Sequence, residues 1–266
     1  MITVAALPER YRVILCDIWG VVHDGVHLYD GAAERLAQWV GEGRTIVLLT
    51  NAPRTSDAVE AQLARLRLPE NCWHAICTSG EAGIAGLLAL DAPVGFIGTD
   101  GDRADLERRG VTFAEAGFTD LAVTGIDGIR MQPEDYRADL DAALARRVVM
   151  HCLNPDKLVI RGGVPEACAG AIADLYEAMG GKVEYYGKPH AHIYEHAFAL
   201  GGNPPKENVL AIGDGLPTDV LGAARFGIDC LFVQGGIHAG DPFPADFASQ
   251  YGLGDWAPVA QFPSLG

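Results

Sequence analysis

An α/β fold, with a parallel sheet and a second domain inserted into it, is predicted by three observations. A run of β-favouring apolar residues, Val13-Ile14-Leu15-Cys16, ends on Asp17; such runs, without polar alternation, mark strands buried on both faces. A helical pattern over 31–43 and a second apolar run over 45–49 follow it, which is the strand–helix–strand order of a right-handed crossover between parallel strands. The same alternation repeats on a smaller scale from Val94 onward and resumes its first form after Gly181, as an insertion would make it do.

The 266 residues, 49% of them hydrophobic, suffice for one large core or two smaller ones. A formal charge of -15 argues against nucleic acid as the main partner, because phosphate contacts need clustered Lys and Arg. A small phosphorylated ligand is compatible with that charge, since a bound divalent cation reverses the local field. No apolar run is long enough to span a bilayer, and residues 1–10 lack the charged start and apolar stretch of a secretory signal. The expectation is a cytoplasmic protein with no membrane contact. Cys16, Cys72, Cys77, Cys152, Cys168 and Cys230 show no metal-ligand pairing and read as buried thiols.

Taken in order, the helix over 31–43 places Leu36, Trp39 and Val40 on one face and stops at Gly41 and Gly43. The strand at 45–49 runs into Thr50-Asn51-Ala52-Pro53-Arg54. Thr55, Ser56 and Asp57 open the next helix, where Val59, Leu63 and Leu66 recur at helical spacing. Thr78-Ser79-Gly80-Glu81 has capping-box spacing and predicts a helix ending near Asp91. A strand at 94–97, a polar helix at 102–109, a strand at 121–124, a helix at 133–146 begun by Pro133, and a strand at 148–151 follow. A helix at 165–179 stops at Gly180-Gly181. The first pattern then resumes with a strand at 182–186, the loop Gly187-Lys188-Pro189, a helix through Ala197, a strand at 208–212 and a strand at 229–233 before Gly235-Gly236. The tail, rich in Gly, Pro and Asp, is expected to be irregular. The predicted domains are 1–80 with 179–266, and 81–178 between them.

Four strand ends carry polar chemistry: Asp17, Thr50 with Asn51, Lys188, and Asp214 with Asp219. Open α/β sheets place their ligands at such ends. Together they suggest phosphoryl transfer to a carboxylate, with Asp17 as nucleophile, Thr50 and Lys188 binding phosphoryl oxygens, and Asp214 with Asp219 bringing in Mg²⁺. The cation would let a dianionic phosphate approach an anionic nucleophile. Gly20, Gly187, Gly213 and Gly215 allow close backbone approach and offer N–H groups to anionic oxygens.

The order Asp17-Ile18-Trp19-Gly20-Val21, Thr50-Asn51, Gly187-Lys188-Pro189 and Gly213-Asp214-Gly215-Leu216-Pro217-Thr218-Asp219 resembles the four motifs of the haloacid dehalogenase (HAD) superfamily. More narrowly, it is similar to the subfamily with a class IIA cap between the second and third motifs, which includes NagD-type and pyridoxal phosphate phosphatase-type enzymes. Val94 to Gly101, Thr124 to Asp127 and Asn154-Pro155-Asp156 resemble landmarks of that cap. The resemblance implies a Rossmann-like doubly wound parallel sheet core carrying an α/β class IIA cap. It also implies a Mg²⁺-dependent hydrolase that forms an aspartyl-phosphate on Asp17. Mg²⁺ would be held by Asp17, Asp214, Asp219 and the backbone carbonyl of Trp19. The substrate would be a small phosphorylated metabolite (a sugar, nucleotide or cofactor phosphate), contacted by Gly20, Asn51 and cap residues such as Asn154. Pairing of two copies through the cap is a further implication.

At one point the chain departs from that pattern. Phosphatases of the superfamily carry a second Asp two residues after the nucleophile, acting as general acid and base; here the residue is Trp19, which cannot exchange a proton near neutral pH. Loss of such help slows a reaction by roughly 10²- to 10⁴-fold. Three readings stay open: a phosphatase in which another group serves or whose leaving group needs little help, a catalytically weak phosphate- and metal-binding regulatory module, and a dehalogenase-like displacement at carbon. His23, six residues past Asp17, is the nearest candidate for the missing proton carrier. His190, His192 and His196 are read as helix-surface and cap contacts rather than a metal cluster, and Trp39 and Phe198 as packing.

Overall fold

The computed structural model describes residues 6–161, 164–235 and 243–266. Residues 1–5, part of the N-terminal reading, and Gly236 lie outside them. The strands are β1 Val13–Asp17, β2 Thr45–Thr50, β3 Ala75–Thr78, β4 Gly95–Ile97, β5 Asp120–Val123, β6 Val149–Cys152, β7 Leu158–Arg161, β8 Val164–Ala167, β9 Lys182–Tyr185, β10 Val209–Gly213, β11 Asp229–Val233 and β12 Ala260–Phe262. Two compact units result, one of Met1–Thr50, Asp57–Cys77 and Lys188–Gly266, the other of Asn51–Ser56 and Thr78–Gly187.

The first unit is built on a six-stranded sheet of order β12-β11-β10-β1-β2-β3. β1 pairs in parallel with β2 and β10, and β11 pairs in parallel with β10 and β12. All five residues of β1 and of β10 are buried, as the unbroken apolar run of β1 requires of a central strand. From β1 the chain works outward through β2 and β3, and it returns on the other flank at β10. The topological switch therefore lies between β1 and β10, where doubly wound sheets bind ligands. Val13, Leu15, Val47, Leu49, Val209, Ala211 and Phe232 pack against Ile193, Tyr194, Ala197 and Phe198 of the helix Ala191–Leu200. Trp39, on the helix Ala32–Gly41, is fully buried. Both Trp39 and Phe198 thus act in packing, and all six cysteines are buried free thiols. Among the described residues no helix is long and apolar enough to cross a membrane.

The tail expected to be irregular instead adds β12 to the sheet edge and buries Phe247, from the short helix Phe247–Gln250, in the same core. Phe243, Tyr251 and Trp256 pack around Phe247, an aromatic cluster that the Gly, Pro and Asp content of the tail hides in composition.

The second unit carries a parallel four-stranded sheet of order β4-β5-β6-β9. Helices Arg137–Ala145 and Ala169–Ala178 supply Leu140, Ala143, Ile172 and Tyr176 to one cluster, while Ser79–Leu88 and Asp100–Arg108 supply Ile84, Leu87 and Leu106 to another. The strand read as resuming the first domain, β9, pairs with β6 here, so the chain leaves this unit between Gly187 and Lys188 rather than near 178. The helix Ser79–Leu88 also belongs to this unit. Lys182-Val183-Glu184-Tyr185 alternates polar and apolar residues, the mark of a sheet edge rather than of a strand central to the first sheet. The helix predicted from Pro165 begins at Ala169, because residues 164–167 pair antiparallel with 158–161 in a hairpin. Thr78 caps its helix by accepting the Glu81 amide, but the Glu81 carboxylate accepts from the Ser56 amide and hydroxyl, so the predicted capping box is one-sided.

Asp127, in the turn after β5, is a structural acid. Its Oδ1 accepts the amides of Ile129 and Arg130, its Oδ2 accepts Arg130 Nε at 2.7 Å, and the Arg130 guanidinium lies 4.0 Å from the centroid of the buried Tyr136 ring. Desolvation opposes ionisation, but these donors outweigh it and hold the Asp127 carboxyl at about 2, below its usual 3.8. A carboxyl lowered by folding stabilises the fold above its ordinary pKa and loses that contribution as pH falls through the folded value. The turn is therefore expected to open as pH drops from 3.8 towards about 2. An acid titration of the Tyr136 ring signal by NMR should show this opening in the wild type, and in Asp127→Asn should show the perturbed turn already at neutral pH.

Candidate active site

Cys16 is in register with Ile212, so Asp17 and the Gly213-Asp214 pair emerge side by side at the carboxyl ends of β1 and β10. After Asp17 the chain turns tightly: the amides of Val22 and His23 donate to the Ile18 carbonyl, and the Gly20 amide donates to the His23 carbonyl at 2.9 Å. Gly20 has φ +88, and a Cβ there would lie 2.2 Å from Asp214 Oδ2. Both the backbone geometry and the close approach of the carboxylate require glycine. Gly20→Ala is expected to displace Asp214 and lower divalent-cation affinity at least about tenfold, the order of loss when groups that orient metal ligands are disturbed. Isothermal titration with Mn²⁺ would measure it, and an unchanged affinity would contradict it.

Lys188 and the aspartates converge as predicted. The Lys188 ammonium donates to Asp17 Oδ1, and to Asp219 Oδ1 at 2.8 Å, with all three residues buried. Asp219 Oδ2 accepts the Gly215 amide at 3.1 Å and the Thr218 hydroxyl at 3.3 Å. Gly213 is packed so closely that a Cβ would sit 2.2 Å from Asp219 Cγ. One ligand atom each from Asp17, Asp214 and Asp219 lies within 4.8 Å of the others, and no other grouping of this kind occurs among the described residues. His190, His192 and His196 thus form no such cluster with acids or cysteines.

The electrostatics follow from that crowding. Burial opposes charge on Lys188, but the Asp17 and Asp219 carboxylates raise its pKa well above that of a free lysine, so it stays an ammonium. Burial pushes the Asp17 carboxyl well up, the Asp219 charge adds to this, and Lys188 opposes it. One ammonium against three buried carboxylates leaves excess negative charge. A hard divalent cation with a preference for carboxylate oxygen fits this donor set.

The two residues beside the nucleophile differ from the sequence picture. Trp19 is 40% exposed. Its ring meets the edge of His23 at 5.3 Å between centroids and lies over Gly25, where a Cβ would be 2.4 Å from its Cη2. His23 is buried, and its Nδ1 accepts the Gly25 amide at 2.9 Å. Burial lowers its pKa, against the opposing charge of Asp24. Proton uptake at Nδ1 would cost this hydrogen bond, while Nε2 meets no partner among these contacts.

Thr50 stands at the end of β2, next to β1, one residue past the Asp17–Leu49 register pair. Asn51 and Asn154 fall in the second unit. There Asn51 Nδ2 donates to Asp156 Oδ1 at 2.8 Å, and Asn154 Oδ1 accepts the Asp156 amide at 3.1 Å. Gly187 closes on the same place, where a Cβ would lie 2.5 Å from Asn51 Oδ1 and 2.8 Å from Ser79 Oγ. Asp156, quoted only as a landmark, is thus the acid that orients Asn51. The x-Pro-Asp sequence signals a turn but not its distant partner. Sequence reasoning also missed the buried His151, whose Nε2 lies 2.8 Å from Asp120 Oδ1 and whose Nδ1 lies 2.8 Å from the Tyr186 hydroxyl.

Fold and site define the class first: an α/β protein with a lysine among three buried acids at the switch point of its sheet. The comparisons agree. A family described as haloacid dehalogenase-like hydrolase matches residues 14–112, and one described as HAD-hydrolase-like matches 185–251. A crystal structure of a haloacid dehalogenase-like family hydrolase from Brucella suis 1330 has a TM-score of 0.81 at 34% identity, with 97% of each chain covered. Ribonucleotide monophosphatase NagD of Escherichia coli (strain K12) is 28% identical over 233 residues, 86% of this chain and 89% of that protein. 5'-Nucleotidase YutF of Bacillus subtilis (strain 168) is 24% identical over 259 residues, 94% of this chain and 99% of that protein. The chain belongs to the haloacid dehalogenase-like hydrolases, on their NagD-like class IIA branch.

Proposed function

We propose that the protein is a phosphatase of small phosphorylated metabolites that works through an aspartyl-phosphate on Asp17. The observation that carries this reading is the buried Asp17–Lys188–Asp219 set, joined by Asp214, at the switch between β1 and β10. Relatives named as a nucleotidase and a ribonucleotide monophosphatase support it.

In this account an Asp17 carboxylate oxygen attacks phosphorus, and the ester oxygen departs from the opposite side. Lys188 meets the phosphoryl oxygens and offsets their charge while keeping Asp17 oriented through its hydrogen bond. Thr50 offers its hydroxyl from the end of β2. Gly215 and Thr218 fix the Asp219 carboxylate, and Gly20 makes room for that of Asp214. Asp17, Asp214, Asp219 and the Trp19 carbonyl would hold Mg²⁺, which supplies Lewis-acid neutralisation of the phosphoryl charge when bound. Water then attacks phosphorus, releasing phosphate and restoring the Asp17 carboxylate. Asn51 and Asn154 are assigned to the leaving portion of the substrate, with Asp156 holding Asn51 in place. Three clustered carboxylates have no use in a displacement at carbon that needs no cation, so the dehalogenase reading is set aside.

A broad phosphomonoester panel with Mg²⁺ tests the proposal. Release of inorganic phosphate from at least one member, stopped by chelation, is the expected result. Mg²⁺-dependent binding of a phosphorylated metabolite without turnover of any member would favour the binding-module reading instead.

A further inference from the structure

We propose that Tyr194 is a positioning residue for the cation site, holding Asp219 by its backbone where a divalent ion needs the carboxylate. The inference rests on the reading of Asp17, Asp214 and Asp219 as cation ligands, and adds a residue that acts only through one of them.

The Asp219 turn is unusual. Leu216–Val220 close as a single wide turn, in which the amides of Asp219 and Val220 both donate to the Gly215 carbonyl, at 2.9 and 3.1 Å. Wide turns of this kind are rare and occur mostly as single turns, often at functional sites. The Asp219 carboxylate accepts the Lys188 ammonium on Oδ1, and the Gly215 amide and Thr218 hydroxyl on Oδ2. Of these side-chain partners only Lys188 comes from outside the turn. If the ion pair were the only external hold, a cation drawing on the carboxylate would compete with the contact that keeps the turn in place.

Tyr194 supplies a second hold. Its hydroxyl donates to the Asp219 backbone carbonyl at 3.4 Å. It stands six residues past Lys188, on the helix Ala191–Leu200 into which the Lys188 loop leads. One segment of chain therefore grips Asp219 at two points, with the ammonium on the carboxylate and the phenol on the backbone. The hold on the backbone leaves the carboxylate oxygens to the ion.

The packing around that hydroxyl shows that it does more than fill space. Tyr194 is 1% exposed, and a hydroxyl buried so deeply costs free energy unless it is bonded, whereas phenylalanine would fill the same room without one. On its far side Gly222, in the helix Leu221–Phe226, makes way for it: a Cβ there would lie 2.3 Å from the Tyr194 oxygen. Glycine is less stable than alanine in a helix. The ring is fixed by Phe226, stacked on it at 5.2 Å between centroids and 23° between planes, and Phe226 also packs against Phe198, one helical turn past Tyr194. Two local costs, a buried polar atom and a helical glycine, thus meet at one oxygen, and its partner is the carbonyl of a proposed cation ligand.

The test is isothermal titration of the full metal-free chain with Mn²⁺, for wild type, Tyr194→Phe, Gly222→Ala and Phe198→Leu, with thermal melting of each in a chelator. Tyr194→Phe keeps the ring and removes the oxygen. It should weaken Mn²⁺ binding by at least about threefold, within the range that one hydrogen bond supplies at about 1.36 kcal/mol per decade, with little change in melting temperature. Gly222→Ala, which strikes the hydroxyl from the other side, should weaken binding at least as much. Phe198→Leu loosens the packing of the same helix but leaves the hydroxyl in place, so it should lower the melting temperature and leave Mn²⁺ affinity unchanged. Because the titration needs no substrate, its outcome is separate from that of the phosphomonoester panel. An affinity indifferent to Tyr194→Phe, or weakened equally by Phe198→Leu, would overturn the role given to Tyr194 and leave the phosphatase reading standing. No Mn²⁺ binding by the wild type would overturn this inference and remove the cation from the phosphatase reading as well.

Discussion

Asp17→Asn is expected to remove phosphomonoester turnover, by about 10⁴-fold or more, the scale of loss when a nucleophile that works as a unit with its partners is deleted. The amide of Asn has the shape of the carboxylate and can still accept from Lys188, but its oxygen is too weak a nucleophile to attack phosphorus. The same change should not destabilise the metal-free protein. Asp17 is buried beside Asp219 and Asp214 with a single ammonium among them, and this crowding is what pushes its carboxyl up. Removing one negative charge relieves it. Thermal unfolding in a chelator should therefore show a melting temperature equal to or above that of the wild type. A large fall would mean that the ion pair, rather than chemistry, is the main role of Asp17.

The opposite behaviour is expected of Lys188→Met. Lys188 is 3% exposed and pairs with two buried carboxylates. Methionine fills a similar volume but leaves Asp17, Asp214 and Asp219 facing one another with no cation. Removing one partner of a buried charged set costs about 3–5 kcal/mol, most of it the penalty of the charges left behind. Urea unfolding without divalent cations should reveal that loss. Adding Mg²⁺ should recover much of it, because a cation bound only by the folded state stabilises it by mass action. Equal loss with and without Mg²⁺ would show that the three carboxylates do not hold the ion.

Much of the first unit was legible because its signals are local and strong. The unbroken apolar runs of β1 and β10 mark central strands, and the acids that end them mark the ligand side of the sheet. Asp17, Lys188, Asp214 and Asp219, spread over some two hundred residues of chain, meet where that logic puts them. The misreadings share a physical cause, dependence on partners remote in sequence. Lys182–Tyr185 looked like the return of the first domain, and only pairing with β6 shows that it closes the second sheet. Val164–Ala167 looked like the start of a helix until its pairing with β7 is known. Phe247 and β12 join the core from a tail whose composition signals only turns. His23 seemed suited to proton exchange by residue type, but the Gly25 amide on its Nδ1 is a contact that sequence does not display. Trp19 reads in sequence only as a missing acid; its packing over Gly25 and against His23 depends on the turn of the folded chain.

The most direct measurement is to quench the protein during turnover of a phosphomonoester with Mg²⁺ and locate any covalent phosphoryl group by peptide mass spectrometry. The account predicts one phosphoryl group on Asp17, absent from Asp17→Asn. Turnover with no phosphoryl group on Asp17, or with the group on another residue, would contradict it.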